Sequence, residues 1–506
     1  MPLSADVVPL PILAIPPFPR ARARSFAKPG GKGGGDWQAL LGALARHRVG
    51  GAFWGRQLTG HPLLDAQSWP ADADPWPLLD GADAVVLPVG DPRAVLALAA
   101  GRPLTLLGPD GKPQSIESEA LVRTHLTDWC WTDPFTGDVI SSLEAIELCG
   151  FWRRLIDSNR GVVAVLGFAH WKRPTVSPLL WDGCETPFCR GVPDLSPDDR
   201  VAVWRSRLSK AQEAAIAGRK VLEVEDGFIR SAGLGADCVP PLSIIVDGLG
   251  IHFDPNRPSE LEDLLQHAEL SEEVVVRAAT LRAAIVSGGL SKYESAAPRY
   301  LERPGGTRWH VLVPGQVEDD RAVTSGGALS SNLELLRRAR EHVGPDAFVI
   351  YKPHPDVLAG HRRGLLSPAD MAALADCVET ETPMARLIDM VDELHVNSSL
   401  AGFEALMRGK RVTVHGVPFY AGWGLTTDLS PVPPRRTRRR SLDELVAAAL
   451  LLYPRYLDPE TNLPCPVEVL VWRLTGSRGM KLGLPASIVV AIRRFYGRIL
   501  SGIRHG

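Results

Sequence analysis

The 506-residue chain has little of what would place it at a glance. Its seven cysteines are scattered, and the one close pair, Cys184 and Cys189, lacks the second pair that a zinc site needs. Free thiols in a reducing compartment are therefore expected. No uncharged apolar run reaches membrane-spanning length. The opening MPLSADVVPLPILAIPPFPR is broken by prolines and has no leading basic region, which argues against a secretory signal. A formal net charge of -2 gives no global pull toward nucleic acid, so affinity for anions must be local. The expectation is a cytoplasmic protein with no nucleic-acid partner. What is present is ordinary for a globular protein, with 45% apolar and 23% charged residues, and the length suffices for two or three domains.

Residues 1–35, rich in proline and glycine and ending in KPGGKGGG, read as a flexible arm. Residues 36–160 carry an α/β pattern: a helix near Trp37 to His47, a strand at Ala84 to Leu87, a helix over Pro92 to Ala100 and a strand at Pro103 to Leu107. GADAVVLPVGDPRAVLALAAGRPLTLLG in this region matches VDELHVNSSLAGFEALMRGKRVTVHG at 391–416 with one gap. WTDPFTG followed by FWRRLIDSNRG matches YLDPETN followed by VWRLTGSRG in the same order, so the chain carries a partial duplication. The earlier copy has Pro88, Val89 and Gly90 where the later has Asn397, Ser398 and Ser399, and Leu96 where the later has Glu404. It reads as a degenerate scaffold that has shed its polar groups.

The remainder reads as α/β with two Rossmann-like domains facing across a cleft, at 161–308 and 309–478, the latter with bracing C-terminal helices. Ser441 and Glu444 predict a capping box at a helix that crosses back to the first half. In the first half, Val221, Leu222 and Val224 form a short strand that ends in Glu225 and Asp226, where Gly227 can turn the backbone. Ligands of open α/β sheets bind beyond the carboxyl ends of the strands, so these acids are catalytic candidates. Arg230 and Ser231 follow as groups for anionic oxygens.

Four features of the second half fall at strand ends. Pro314-Gly315-Gln316 precedes Glu318, Asp319 and Asp320, three consecutive acids whose spacing suits one metal ion poorly. In Lys352-Pro353-His354-Pro355, prolines hold an imidazole that can donate to a leaving phosphate, beside a compact positive charge. Asn397-Ser398-Ser399 leads into a helix over Leu400 to Met407, whose N-terminus with two hydroxyls is an anion site, with Glu404 one turn further in for ribose hydroxyls. The aromatic loop Pro418 to Leu425 is either a latch between halves or a platform for sugar.

Phosphate groups on one half and carboxylates on the other are the layout of a nucleotide-sugar glycosyltransferase. EDGFIRSAGLG, VPPLSIIVD, SKYE, VLVPGQVEDD, YKPHPDV, NSSLAGFEAL and PFYAGWGLT, in that order between about Gly167 and Arg478, resemble the motifs of the KpsC/LipB capsule polysaccharide biosynthesis proteins. The resemblance implies a GT-B-like retaining transferase that moves 3-deoxy-D-manno-oct-2-ulosonic acid (Kdo) from CMP-β-Kdo to a glycolipid, building the β-Kdo linker of capsule with no metal or other cofactor. Retention needs either a covalent adduct or same-face attack; by double-displacement logic Asp226 is the nucleophile with Glu225 as orienting group or base, and His354 stands at the leaving group. Lys352, His354, Ser398, Ser399, Glu404 and Gln316 fall to the CMP-sugar, and Arg230, Ser231, Ser291 and Lys292 to the substrate side. Such proteins carry two complete modules in tandem, whereas the earlier copy here is cut to its second half. Arg205 and Glu294 depart from the usual glycine and asparagine. The alternatives are an inverting, sialyltransferase-like CMP-sugar transferase and a non-catalytic scaffold binding CMP or glycolipid.

The tail at 479–506 contains SIVVAIRRFYGRILSGIRHG, which places Ile488, Ile492, Phe495, Ile499 and Ile503 on one helical stripe with arginines outside it. A basic amphipathic segment over 486–506 is either a peripheral contact with an anionic inner membrane, to which RRTRRR at 435–440 would add, or a helix packed on the enzyme, since Gly497 and Gly502 weaken an isolated helix.

Overall fold

The computed structural model describes residues 10–22, 25–31, 35–229, 239–290, 303–360 and 362–476. The chain divides into two units: residues 1–161, 177–186 and 458–464 form one, and the remainder forms the other.

In the first unit, alternating apolar runs build a small sheet in the order Leu63–Asp65, Ala84–Pro88, Leu104–Leu107 and Pro113–Gln114, the first three strands parallel. The helix Trp37–His47 begins where Asp36 accepts the Gln38 N–H, and it buries Leu40, Ala43 and Leu44. The helix Arg93–Ala99 returns between two of the strands, as a parallel crossover requires.

The flexible arm expected over 1–35 is corrected at residues 10–22 and 25–31, the part of it that the structure chiefly describes. Ile12, Leu13, Phe18 and Phe26 are buried, and Ala27–Pro29 pairs antiparallel with Trp129–Thr132. Phe18 lies 4.9 Å from Trp181 and Phe26 5.4 Å from Trp131, centroid to centroid, while the Ile12 N–H donates to the His125 carbonyl. Proline forbids helix here but not an extended strap, and spaced apolar side chains give the strap a reason to dock.

In the second unit, one sheet follows the order Cys377–Val378, Phe348–Lys352, His310–Pro314, Glu393–Val396, Arg411–Val414 and Thr427–Asp428, with every pairing parallel. Numbered along the chain this is 3-2-1-4-5-6, the dinucleotide-fold order, whose switch point lies between His310–Pro314 and Glu393–Val396. Its core on one face is Val311, Val313, Val349 and Tyr351 against Leu335, Leu336 and Ala339 of the helix Asn332–Val343.

The other sheet contains Pro454–Leu457, Ser243–Asp247, Lys220–Asp226, Arg200–Val203 and Val162–Leu166 in hydrogen-bonded order. Only the last three are mutually parallel. This departs from the all-parallel sheet of a Rossmann-like half: Ser243–Asp247 pairs antiparallel with Lys220–Asp226. Pro454–Leu457, inside the 309–478 segment, joins this sheet by pairing antiparallel with Ser243–Asp247, so that segment contributes to both sheets. Before Pro454–Leu457, the helix Leu442–Val446 starts at the expected Ser441–Glu444 capping box and packs on Glu272–Gly288, where Arg282 binds Asp443 at 2.7 Å. No helix among the described residues is long and apolar enough to cross a membrane.

Candidate active site

Along Lys220–Asp226, the strand alternation puts Glu223 and Glu225 on one face and Asp226 on the other. Asp226 Oδ1 lies 3.0 Å from the Lys172 ammonium. Arg321 donates through Nη1 to Glu225 at 2.8 Å and through Nη2 to Glu223 at 2.6 Å. Glu223 also accepts from Arg205 at 2.9 Å, and Arg205 reaches Glu213 at 2.6 Å, so the unusual arginine after VW is held by two carboxylates. Burial pushes Glu225 up to about 7, with Arg321 pulling it down and the neighbouring Asp226 adding to the rise. The turn after the acids needs glycine: a Cβ on Gly227 would stand 2.2 Å from Ser243 Oγ.

Across from this edge, the switch point of the parallel sheet brings Gln316 and Ser398 together. Gln316 accepts the Ser398 N–H at 2.9 Å and donates to its hydroxyl at 3.2 Å. Ser399 Oγ accepts the Ala401 N–H at the start of the helix Ala401–Met407, which begins one residue later than expected. Glu404 is buried on that helix and faces the same cavity. His354 caps a short helix: its Nδ1 accepts the Asp356 N–H at 3.2 Å, which assigns the proton of a neutral ring to Nε2.

A cavity of about 370 Å³ unites these groups. Its walls include Glu225 and Asp226 from one sheet, and Gln316, Lys352, His354, Ser398, Ser399 and Glu404 from the other. Phe228 and Phe419 close one side, their rings stacked at 4.7 Å. The aromatic loop is thus a latch between the halves: Phe419 sits on Phe228, the Tyr420 hydroxyl donates to the Ser399 carbonyl at 2.5 Å, and Trp423 is buried.

Several expected roles change. Lys352 lines the cavity, but its ammonium donates to the carbonyls of Thr382 at 2.7 Å and Thr380 at 3.4 Å, so it holds the neighbouring loop as well as carrying charge. Asn397 is structural, since its amide serves the backbone of Ala328 and Leu329. The three consecutive acids have separate tasks: Glu318 accepts the Asn332 N–H, Asp319 pairs with Arg362, and Asp320 caps the helix Arg321–Gly326. Four of the five arginines of RRTRRR are committed to acids. Arg435 and Arg436 both bind the buried Glu262, Arg438 binds Glu269, and Arg440 binds Glu444. Arg230, Ser231, Ser291, Lys292, Glu294 and the basic tail lie outside the described residues.

Sequence reasoning passed over Lys172 and Arg321. Lys172 lies in GFAHWKRP, a turn at a strand end of the same sheet as the acids, and Arg321 directly follows the VLVPGQVEDD motif. Polar residues at strand ends were the available signal, but their pairing with acids more than fifty positions away is set by the sheet order.

The family described as "Capsule polysaccharide biosynthesis protein" matches residues 199–302 and 294–456. Capsule polysaccharide modification protein LipA of Neisseria meningitidis serogroup B is 35% identical over 447 residues, covering 81% of this chain and 62% of its own. The chain therefore spans less than two thirds of that relative's length. Lipopolysaccharide-processing protein LpsZ of Rhizobium meliloti is 40% identical over 348 residues, covering 65% of this chain and 78% of its own. Among solved structures, the Thermosulfurimonas dismutans KpsC beta Kdo 2,4 transferase is 32% identical with a TM-score of 0.53, covering 62% of this chain and 98% of that one. On this evidence the chain belongs to the capsule polysaccharide biosynthesis protein family.

Proposed function

We propose that the chain transfers Kdo from CMP-β-Kdo to a glycolipid acceptor with retention of configuration, using one active site with a GT-B-like layout. The observation that carries this reading is the cavity that joins Glu225 and Asp226 to Gln316, His354, Ser398, Ser399 and Glu404. The similarity to a beta Kdo transferase over 62% of the chain supports the choice of sugar.

In the first step an Asp226 carboxylate oxygen bonds to the anomeric carbon, the bond from that carbon to the phosphate oxygen breaks, and its electron pair leaves with CMP. His354 Nε2–H and the Ser398 and Ser399 hydroxyls are donors for the charge that gathers on the phosphate. They stand on a sheet edge built before the reaction. Glu404 accepts from the ribose. In the second step an acceptor hydroxyl oxygen bonds to the anomeric carbon and releases Asp226, while the hydroxyl proton passes to Glu225. A carboxylate held up to about 7 is a better base near neutrality than an ordinary glutamate. The donors named are protein groups, and the reading calls for no metal.

Purified protein incubated with CMP-Kdo generated in place and a short Kdo-primed acceptor tests this. The reading expects a β-linked product by NMR. An α-linked product means inversion with the acid acting as a base, and tight CMP binding without any product means a scaffold.

A further inference from the structure

Asp226 is the reacting carboxylate in the reading above, and a buried lysine binds it. Lys172 ends the short helical turn His170–Lys172 that follows the strand Val162–Leu166. Its side chain is buried, its ammonium lies 3.3 Å above the centre of the Trp204 ring, and the same nitrogen is 3.0 Å from Asp226 Oδ1. Gly167 lets the turn sit there, since a Cβ would meet the Trp204 carbonyl at 2.5 Å. Asp226 lines the cavity and Lys172 does not, so the lysine acts from behind the carboxylate.

The surroundings give this contact its importance. Acids crowd the edge: Glu225 adjoins Asp226, and Glu223 lies two residues before Glu225. Arg321 spans Glu223 and Glu225, Arg205 holds Glu223, and Arg257 approaches Glu223 at 3.7 Å. Arg321 thus hydrogen-bonds Glu223 and Glu225, and the lysine hydrogen-bonds Asp226 while its charge also favours the ionised form of Glu225. A buried ammonium is costly unless paired, and a cation over an aromatic face gains further attraction when desolvated. The contacts with Asp226 and the Trp204 ring hold the ammonium, and the held ammonium favours the charged form of Asp226 and one orientation of it.

We propose that Lys172, seated on Trp204, is a positioning residue that keeps Asp226 anionic and aimed into the cavity, and so splits the Glu225–Asp226 pair into a nucleophile and a base. The proposal rests on the transfer reading, but it has a consequence that needs no substrate. Carbodiimide modifies protonated carboxyl groups, so the yield at Asp226 at pH 6, read by peptide mass spectrometry, reports its protonation. In Lys172→Met the yield rises severalfold over wild type, and in Lys172→Arg it stays near wild type.

In the transfer assay Lys172→Met lowers kcat about a hundredfold with KM for the donor within about threefold, and the acid limb of its kcat profile moves to higher pH. Trp204→Leu, which leaves both charges in place, shows the same signature more weakly and covers the case in which Lys172→Met does not fold. Unchanged Asp226 labelling in a folded Lys172→Met or Trp204→Leu protein overturns the proposal, whatever the donor proves to be. So does a loss of CMP binding that parallels the loss of kcat. Failure of the wild type to transfer Kdo overturns the function reading and leaves the labelling result standing.

Discussion

The chain contains one arrangement twice, and the two copies differ in polar groups more than in shape. Strand, helix and strand run Ala84–Pro88, Arg93–Ala99 and Leu104–Leu107 in the earlier copy, and Glu393–Val396, Ala401–Met407 and Arg411–Val414 in the later one. Both then place a π-helical turn before a short strand, at Arg123–Thr127 with Trp129–Thr132 and at Ala447–Leu452 with Pro454–Leu457. The turns after these strands agree in detail. Asp133 accepts the N–H of Phe135 and Thr136, and Asp458 accepts the N–H of Glu460 and Thr461. Gly137 and Asn462 occupy the positive-φ position of each.

At the strand end the copies part. The later has Ser398, Ser399 and Glu404 on the cavity of about 370 Å³ that also holds Glu225 and Asp226. The earlier has Pro88, Val89 and Leu96 on a hollow of about 730 Å³, and Leu96 is fully buried. A backbone can thus outlast its chemistry, because hydrogen-bonded strands and packed helices hold the shape while a few side chains hold the ligand.

Five substitutions sharpen this contrast. The largest effect falls on Asp226→Asn, which should lower transfer by about 10³-fold or more while CMP binding, measured by calorimetry, persists. Next comes an exchange between the copies. Leu96→Glu forces a carboxylate into a site filled by an alkyl chain and should cost about 3 kcal/mol or more in urea unfolding. Glu404→Leu in the later copy should leave the fold intact and weaken CMP binding about tenfold. If Leu96→Glu is tolerated and confers CMP binding, the earlier copy is less degenerate than its lining indicates.

His354→Ala removes one donor to the leaving phosphate and should reduce turnover by up to about a hundredfold, with a parallel loss of CMP affinity. The smallest effect concerns Glu225 and pH. Its raised value means that the fold favours the protonated acid; that stabilisation is complete below the unfolded value near 4.5 and is lost as pH rises through about 7. Glu225→Gln should therefore raise the melting temperature more at pH 8 than at pH 5, by at most about 3 kcal/mol of stability. An equal gain at both pH values would show that the carboxylate is not held up.

The sequence made the later sheet legible because its strands are continuous apolar runs that end in chemistry-bearing residues, as at Val311, Phe348 and Glu393. His354, Ser398 and Glu404 were readable from the same ends. Less was readable where long-range pairing decides. The return of Pro454–Leu457 to the other sheet is a register choice over more than two hundred residues. Proline and glycine gave a composition signal in residues 10–31 that outweighed a few apolar anchors, of which Phe18 and Phe26 do the docking. Basic residues at 435–440 looked like a surface patch because Glu262 and Glu269, which bind them, lie far away in sequence.

The central claim is that the acidic edge beside the later copy forms a covalent bond to the sugar. Intact-protein and peptide mass spectrometry after brief incubation with CMP-Kdo and no acceptor tests it directly. The account predicts one Kdo increment per chain, located on the peptide containing Asp226, absent in Asp226→Asn and lost on adding acceptor. Steady turnover to product with no increment under any quench would contradict it.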